Sequence, residues 1–223
     1  MAYEILKIRQ NTYEVYSDGQ ERTARGNRRS EVVTMPAYLQ ASADKKVFQA
    51  SIGTATTPVS FAKTAYDADQ PQLVIDVPVG KVIIPLELTV MLEDSAGTDT
   101  EVIWGCAGAL SGAGTSTAVT PANLWIAPSG GAAPASSCSA YRQYTGNSTD
   151  ITAEADFIEF YREVYAFADA TTDPIKTFRW RATESPAPVI NGAGSLVLWV
   201  VGTTTAPAGF VRAKWWELDT NEV

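Results

Sequence analysis

Histidine is absent from this 223-residue chain. That removes the commonest general base, the usual partner of serine and cysteine nucleophiles, and the commonest zinc ligand. Cysteine is scarce, with Cys106 and Cys138 alone. Two thiolates do not complete a structural zinc site, and a disulfide framework for a secreted module would carry more of them. The pair fits a protein made in a reducing cytoplasm, with a single bridge as the open alternative. There is no apolar run of membrane-spanning length, which excludes a transmembrane helix. The opening residues Met1-Ala2-Tyr3-Glu4-Ile5-Leu6-Lys7 hold no apolar core and no cleavage signal, so export by the usual signal is not expected. An excess of positive charge is missing as well. The net charge of −8 argues against nucleic-acid binding, which needs cations to replace phosphate counterions.

What is present is a β pattern. Hydrophobic residues make up 45% of the chain, enough for a real core, and one all-β domain of this length is ordinary. The clearest stretch runs from Val82 to Leu92. Val82, Ile84, Leu86, Leu88, Val90 and Leu92 share one parity, which predicts six apolar side chains on one sheet face. Pro85 lacks an amide hydrogen and signals an edge position or a bulge. Before it, Val77-Pro78-Val79-Gly80-Lys81 reads as a turn after a strand over Gln72–Val77. Further strands are expected at Glu31–Leu39, Lys46–Ile52, Thr100–Cys106, Ser139–Tyr144, Phe157–Phe167, Lys176–Thr183, Ser195–Val201 and Gly209–Leu218. Loops rich in Gly, Ser, Thr, Ala and Pro separate them, notably Gly108–Ala122 and Ala127–Ser137. Short strands joined by such loops point to a sandwich or barrel, and eight to ten of them suit a jelly-roll-like antiparallel β-sandwich.

Residues 1–30 differ from the rest and read as an extended N-terminal arm ahead of a domain over 31–223. The stretch Glu21–Ser30 holds Arg22, Arg25, Arg28 and Arg29. A solvated charge cluster near a terminus is one reading. The sharper one is an attachment arm whose guanidiniums grip carboxylates on another subunit in bidentate pairs.

The stretch Phe157–Phe167 also fits a helical stripe, but its aromatic and β-branched residues favour strand. As a strand it places Ile158, Phe160, Val164 and Ala166 on one side, and Phe157, Glu159, Tyr161, Glu163 and Tyr165 on the other. That second side is too aromatic for plain solvent exposure. The consecutive Trp215 and Trp216 must point to opposite faces of a strand. One of them suits a subunit interface, a second core layer or a sugar platform.

One phrase recurs: Gly53-Thr54-Ala55-Thr56-Thr57-Pro58-Val59-Ser60-Phe61 parallels Gly202-Thr203-Thr204-Thr205-Ala206-Pro207-Ala208-Gly209-Phe210. Both fit a Thr-rich loop that ends a strand and leads through a proline into the next. Convergent loop chemistry explains this, and glycan contact by the hydroxyls is the rival.

The remaining chemistry is sparse. Carboxylates cluster at Glu154, Asp156, Glu159 and Glu163, and at Glu93, Asp94, Asp99 and Glu101. A glycosidase needs two of them facing across a cleft, and no spacing here specifies that. The loop Glu93–Glu101 is oxygen-rich but lacks the ligand spacing of an EF-hand, so it reads as a hairpin turn. Gly105–Gly114 lacks the lysine of a phosphate loop, and Gly194-Ser195-Leu196 is no nucleophile elbow. The residues therefore predict a non-enzymatic protein with no catalytic, cofactor or metal site.

The stretches Ile75–Leu86, Leu198–Thr205 and Val211–Leu218 resemble the jelly-roll decoration, cement and head-fibre proteins of tailed bacteriophages. The resemblance spans residues 31–218 in style, and its motifs are loose. It implies a virion structural protein, made in the host cytoplasm and carried on the capsid surface. It further implies a homotrimer whose arm, through Arg22, Arg25, Arg28 and Arg29, meets the major capsid protein. Phe157, Tyr161, Tyr165 and Trp216 are the expected subunit-interface residues. No cofactor, nucleic acid or membrane is expected as a partner. The alternative is a receptor- or glycan-binding tail-tip module that uses Thr-rich loops and exposed aromatics.

Overall fold

Alternation of more and less buried residues from Ala208 to Glu217 marks the strand β13 (Ala208–Asp219). Val211, Ala213 and Trp215 are buried, whereas Phe210, Lys214 and Trp216 are half-buried and Arg212 is exposed. The computed structural model in which this is seen describes residues 37–61, 63–94, 99–110, 115–126, 132–145, 151, 157–166, 176–203 and 205–223. The chain divides into two units, Met1–Gln40 and Ala41–Val223. The 1–30 arm, with its four arginines, lies outside the described residues.

Among the described residues the strands form two antiparallel sheets. After helix α1 (Ala37–Ala43) come β1 (Val47–Ile52), β2 (Val59–Ser60), β3 (Leu73–Val77), β4 (Lys81–Asp94) and β5 (Thr100–Gly108). There follow β6 (Thr115–Val119), β7 (Ala122–Asn123), β8 (Ser139–Thr145), β9 (Ile158–Tyr165), β10 (Thr177–Arg181), β11 (Ile190–Asn191), β12 (Gly194–Gly202) and then β13. One sheet has seven strands in the order β10-β4-β13-β1-β7, with β11 on β4 and β2 on β13. The other has six, in the order β6-β8-β3-β12-β5-β9. The pairings are nested: β1 with β13, β3 with β12, β4 with β10, and β5 with β9. The fold is an all-β antiparallel sandwich, and this nesting is compatible with the expected jelly roll.

The core lies between the sheets. Phe48, Leu88, Val90, Phe178, Trp180 and Trp215 enter it from the seven-stranded sheet. Leu73, Ile75, Val102, Trp104, Leu196 and Leu198 meet them from the six-stranded one. Phe48 stacks on Trp215 with ring centroids 6.3 Å apart. Each aliphatic or Phe side chain so buried contributes roughly 1.5–3 kcal/mol.

Several elements depart from expectation, each for a local reason. Leu86 is an extra residue opposite β13, between the pairs Lys214↔Glu87 and Trp215↔Pro85. This β-bulge reverses the side-chain parity, so Ile83 enters the core before it and Leu88, Val90 and Leu92 after it. Ile84 and Leu86, placed with the core set by simple alternation, fall out of it and are half-buried. The bulge that Pro85 signalled sits beside that residue.

Ala37–Leu39 is the described part of the strand expected over Glu31–Leu39, and it is helical. Ala37-Tyr38-Leu39-Gln40-Ala41 is rich in strong helix formers and follows Pro36, a residue favoured at a helix start. The Gly108–Ala122 stretch, read as a loop, contains β6, whose Thr and Val residues suit a short edge strand. The turn after β3 forms as read, with Lys81 N–H donating to the Pro78 carbonyl at 3.1 Å and Gly80 at φ 86°.

Candidate functional site

The two recurrent Thr-rich phrases come together in space. Val59 and Ser60 of β2 pair with Gly209 and Ala208 of β13, and Phe61 N–H donates to the Pro207 carbonyl at 2.9 Å. The first loop closes on itself. Thr54 N–H donates to the Thr57 carbonyl at 3.0 Å, and Thr57 N–H donates to the Thr54 hydroxyl at 3.1 Å. Gly53, at φ 87°, starts that turn, and a Cβ there would lie 2.6 Å from the Phe210 ring. Here threonine chemistry shapes the turn.

β9 forms one end of the six-stranded sheet and, among the described residues, pairs only with β5. Phe160 is an extra residue between the pairs Trp104↔Tyr161 and Gly105↔Glu159. The resulting bulge brings Phe160 and Tyr161 both against the central core, where Phe160 meets Trp180 edge-on at 5.3 Å. It also separates Phe157 from the face on which alternation had put it with Tyr161. Phe157 packs on the outer side of the sheet, edge-on to Trp199 at 6.2 Å. Tyr165 packs against the central core.

The four expected interface aromatics therefore occupy three places. Tyr161 and Tyr165 border the intersheet core, Phe157 lies on the outer face of the six-stranded sheet, and Trp216 lies on the outer face of the seven-stranded one. All four are half-buried. What stands out along β9 is aliphatic: Ile158 is 55% exposed and Val164 58%. Simple alternation did not single these two out, although a β-branched residue on a strand at the end of a sheet is the signal that finds them.

The charged residues of β9 are matched. Arg162 donates to both Glu159 oxygens, at 2.7 and 2.6 Å, and pairs with Glu101. The Arg162 guanidinium holds the Glu159 carboxyl below the usual range. Glu163 pairs with Lys176 at 2.7 Å and accepts a hydrogen bond from the Tyr161 hydroxyl. Burial of the Tyr161 phenol, reinforced by that carboxylate, pushes its pKa up. Glu159, Glu163 and Glu101, three of the carboxylates weighed for glycan hydrolysis, are thus held in ion pairs; Glu154 and Asp156 lie outside the described residues. Among the described residues no group of three or more metal-capable side chains converges.

A second polar arrangement is internal. Glu217 is buried, and its carboxylate accepts from the Ser136 hydroxyl at 2.6 Å and the Ser137 N–H at 2.9 Å. This ties the 136–138 segment to β13. Cys138 follows directly, and burial, helped by the Glu217 charge, raises its thiol pKa far above the usual range. Burial likewise raises Cys106, and both thiols are free.

Compared with protein-family models and with curated proteins, the chain matches none.

Proposed function

We propose that the chain is a structural component of a bacteriophage particle, of the decoration, cement or head-fibre kind. In this reading it self-associates as a trimer on the capsid surface after synthesis in the host cytoplasm. Its arm residues Arg22, Arg25, Arg28 and Arg29 dock on the major capsid protein. Phe157, Tyr161, Tyr165 and Trp216 lie at subunit contacts, joined by Ile158 and Val164.

The observation that carries the reading is the β9 edge, where the exposed Ile158 and Val164 lie beside the half-buried Tyr161 and Tyr165 on a strand that, among the described residues, pairs on one side only. Such a strand invites a partner. Its alternating charges, Glu159, Arg162 and Glu163, oppose open-ended strand addition, which favours a closed contact between a few copies.

Light scattering on the purified chain tests this, with a trimer mass expected and Val164→Asp expected to yield monomers. A stable wild-type monomer at micromolar concentration ends the proposal. Deleting residues 1–30 is expected to abolish binding to capsids while leaving the thermal transition of the sandwich intact.

A further inference from the structure

The seven-stranded sheet turns a basic face outward. Strand register sets two rows across it. In one, Arg179 of β10, Thr89 of β4, Arg212 of β13 and Ser51 of β1 stand side by side. In the next, Arg181, Glu87, Lys214 and Gln49 do so. Glu87 is shared by Lys214 at 2.7 Å, Arg181 at 3.4 Å and Arg179 at 3.5 Å. Arg181 also reaches Glu184 at 3.4 Å. Arg212 is exposed and has no ion-pair partner among the described residues. Four cations thus face two carboxylates, in a chain of net charge −8.

Ion pairing with Glu87 accounts for part of this charge but leaves Arg212 over. Charges on β10 protect a sheet end from unwanted pairing. Arg212 and Lys214, however, sit on β13, between β4 and β1 in the sheet interior. A solvated face needs only polar residues, and crowding like charges on it is unfavourable. Thr89 stands between Arg179 and Arg212, so the row that holds Arg212 has no carboxylate of its own.

We propose that this face docks on an acidic surface of a partner protein, with Arg179 and Arg212 as its principal contacts. Strands lie about 4.8 Å apart, so these two arginines, two strands apart, match carboxylates about 10 Å from each other. Each guanidinium offers paired donors that a carboxylate fills. A protein partner fits better than a nucleic acid: the chain as a whole repels a polyanion, and four cations on an open sheet neutralise little of a phosphate backbone. The inference goes beyond the virion reading and does not require it, since the surface is defined without reference to a capsid.

The test uses the full chain and labelled poly-L-glutamate, with fluorescence anisotropy read at low and at high salt. The wild type is expected to bind at low salt, and Arg179→Glu with Arg212→Glu to weaken binding at least about tenfold. Lys45→Glu with Arg142→Glu makes the same change in net charge away from this face and is expected to have a much smaller effect. Circular dichroism checks folding, and Arg179→Gln with Arg212→Gln serves if the charge reversal disturbs it. No binding by the wild type, equal loss in both double variants, or tighter binding to a DNA duplex than to poly-L-glutamate overturns the proposal.

Discussion

The two sheets share a core but treat their outer faces in opposite ways. On the six-stranded sheet the outer face is apolar and covered. Val74, Ile103, Val197, Trp199 and Val201 form a second buried cluster with Ile151, and Phe157 packs on it. Tyr66 leans on Trp199 at 5.7 Å, and the Trp199 indole N–H donates to the Asp67 carbonyl at 3.0 Å. On the seven-stranded sheet the corresponding face carries Arg212, Lys214, Glu87 and Arg179 toward solvent. All nine residues of β12 are buried, whereas β13 alternates. One sheet is an inner layer, and the other is a boundary with water. Among the described residues, the boundary face presents a row of charges to solvent, whereas the covered face is packed with apolar side chains.

The sharpest way to break this contrast is to put the same charge on both sides. Val197→Asp buries a carboxylate with no partner and is expected to abolish the cooperative thermal transition. Arg212→Asp, on the open face, is expected to leave stability within about 0.5 kcal/mol. Equal effects of the two changes, measured by thermal denaturation, would show that the outer faces are not different.

An intermediate effect is expected at Glu217, which ties β13 to the segment before β8. Glu217→Ala strips two donors of their acceptor and is expected to lower unfolding stability by roughly 1–3 kcal/mol in urea titration.

The smallest effect belongs to the open face itself. The hydrogen bond from Lys214, with Arg181 and Arg179 nearby, holds the Glu87 carboxyl below the usual glutamate range. A carboxyl depressed in the folded state adds stability above its unfolded pKa and loses it as pH falls through the folded value. Stability is therefore expected to decline from about pH 5 downward, and Glu87→Gln to flatten part of that decline. A melting temperature whose acid dependence is unchanged by Glu87→Gln removes this contribution.

These differences decide what was legible in the sequence. β13 could be read residue by residue, because one of its faces meets water: Trp215 points inward and Trp216 outward, as adjacent strand residues must. The β12 run Ser195–Val201 announces a strand. Its second covering layer comes from residues far away in the chain, Tyr66, Ile151 and Phe157, which no local pattern connects to it. The bulges at Leu86 and Phe160 escaped alternation because each inserts one residue without altering the apolar composition around it. Pro85 was the one local warning. The basic face was invisible for a different reason. Arg179 and Arg181 belong to one stretch and Arg212 and Lys214 to another, and only the register of both against β4 brings them side by side. Of the four aromatics expected at subunit contacts, Phe157, Tyr161 and Tyr165 share a face under simple alternation, which the bulge at Phe160 breaks, and Trp216 belongs to the other sheet.

The nested pairing carries a consequence for biosynthesis. β1 is made well before its long partner β13, with Val47 opposite Trp216 and Ile52 opposite Val211. Pairs so distant along the chain close late and slowly. While translation proceeds, the nascent sandwich must keep Phe48, Ala50 and Ile52 waiting with no β13 to pair beside them. In a crowded cell, the window for misassembly lasts until β13 clears the ribosome.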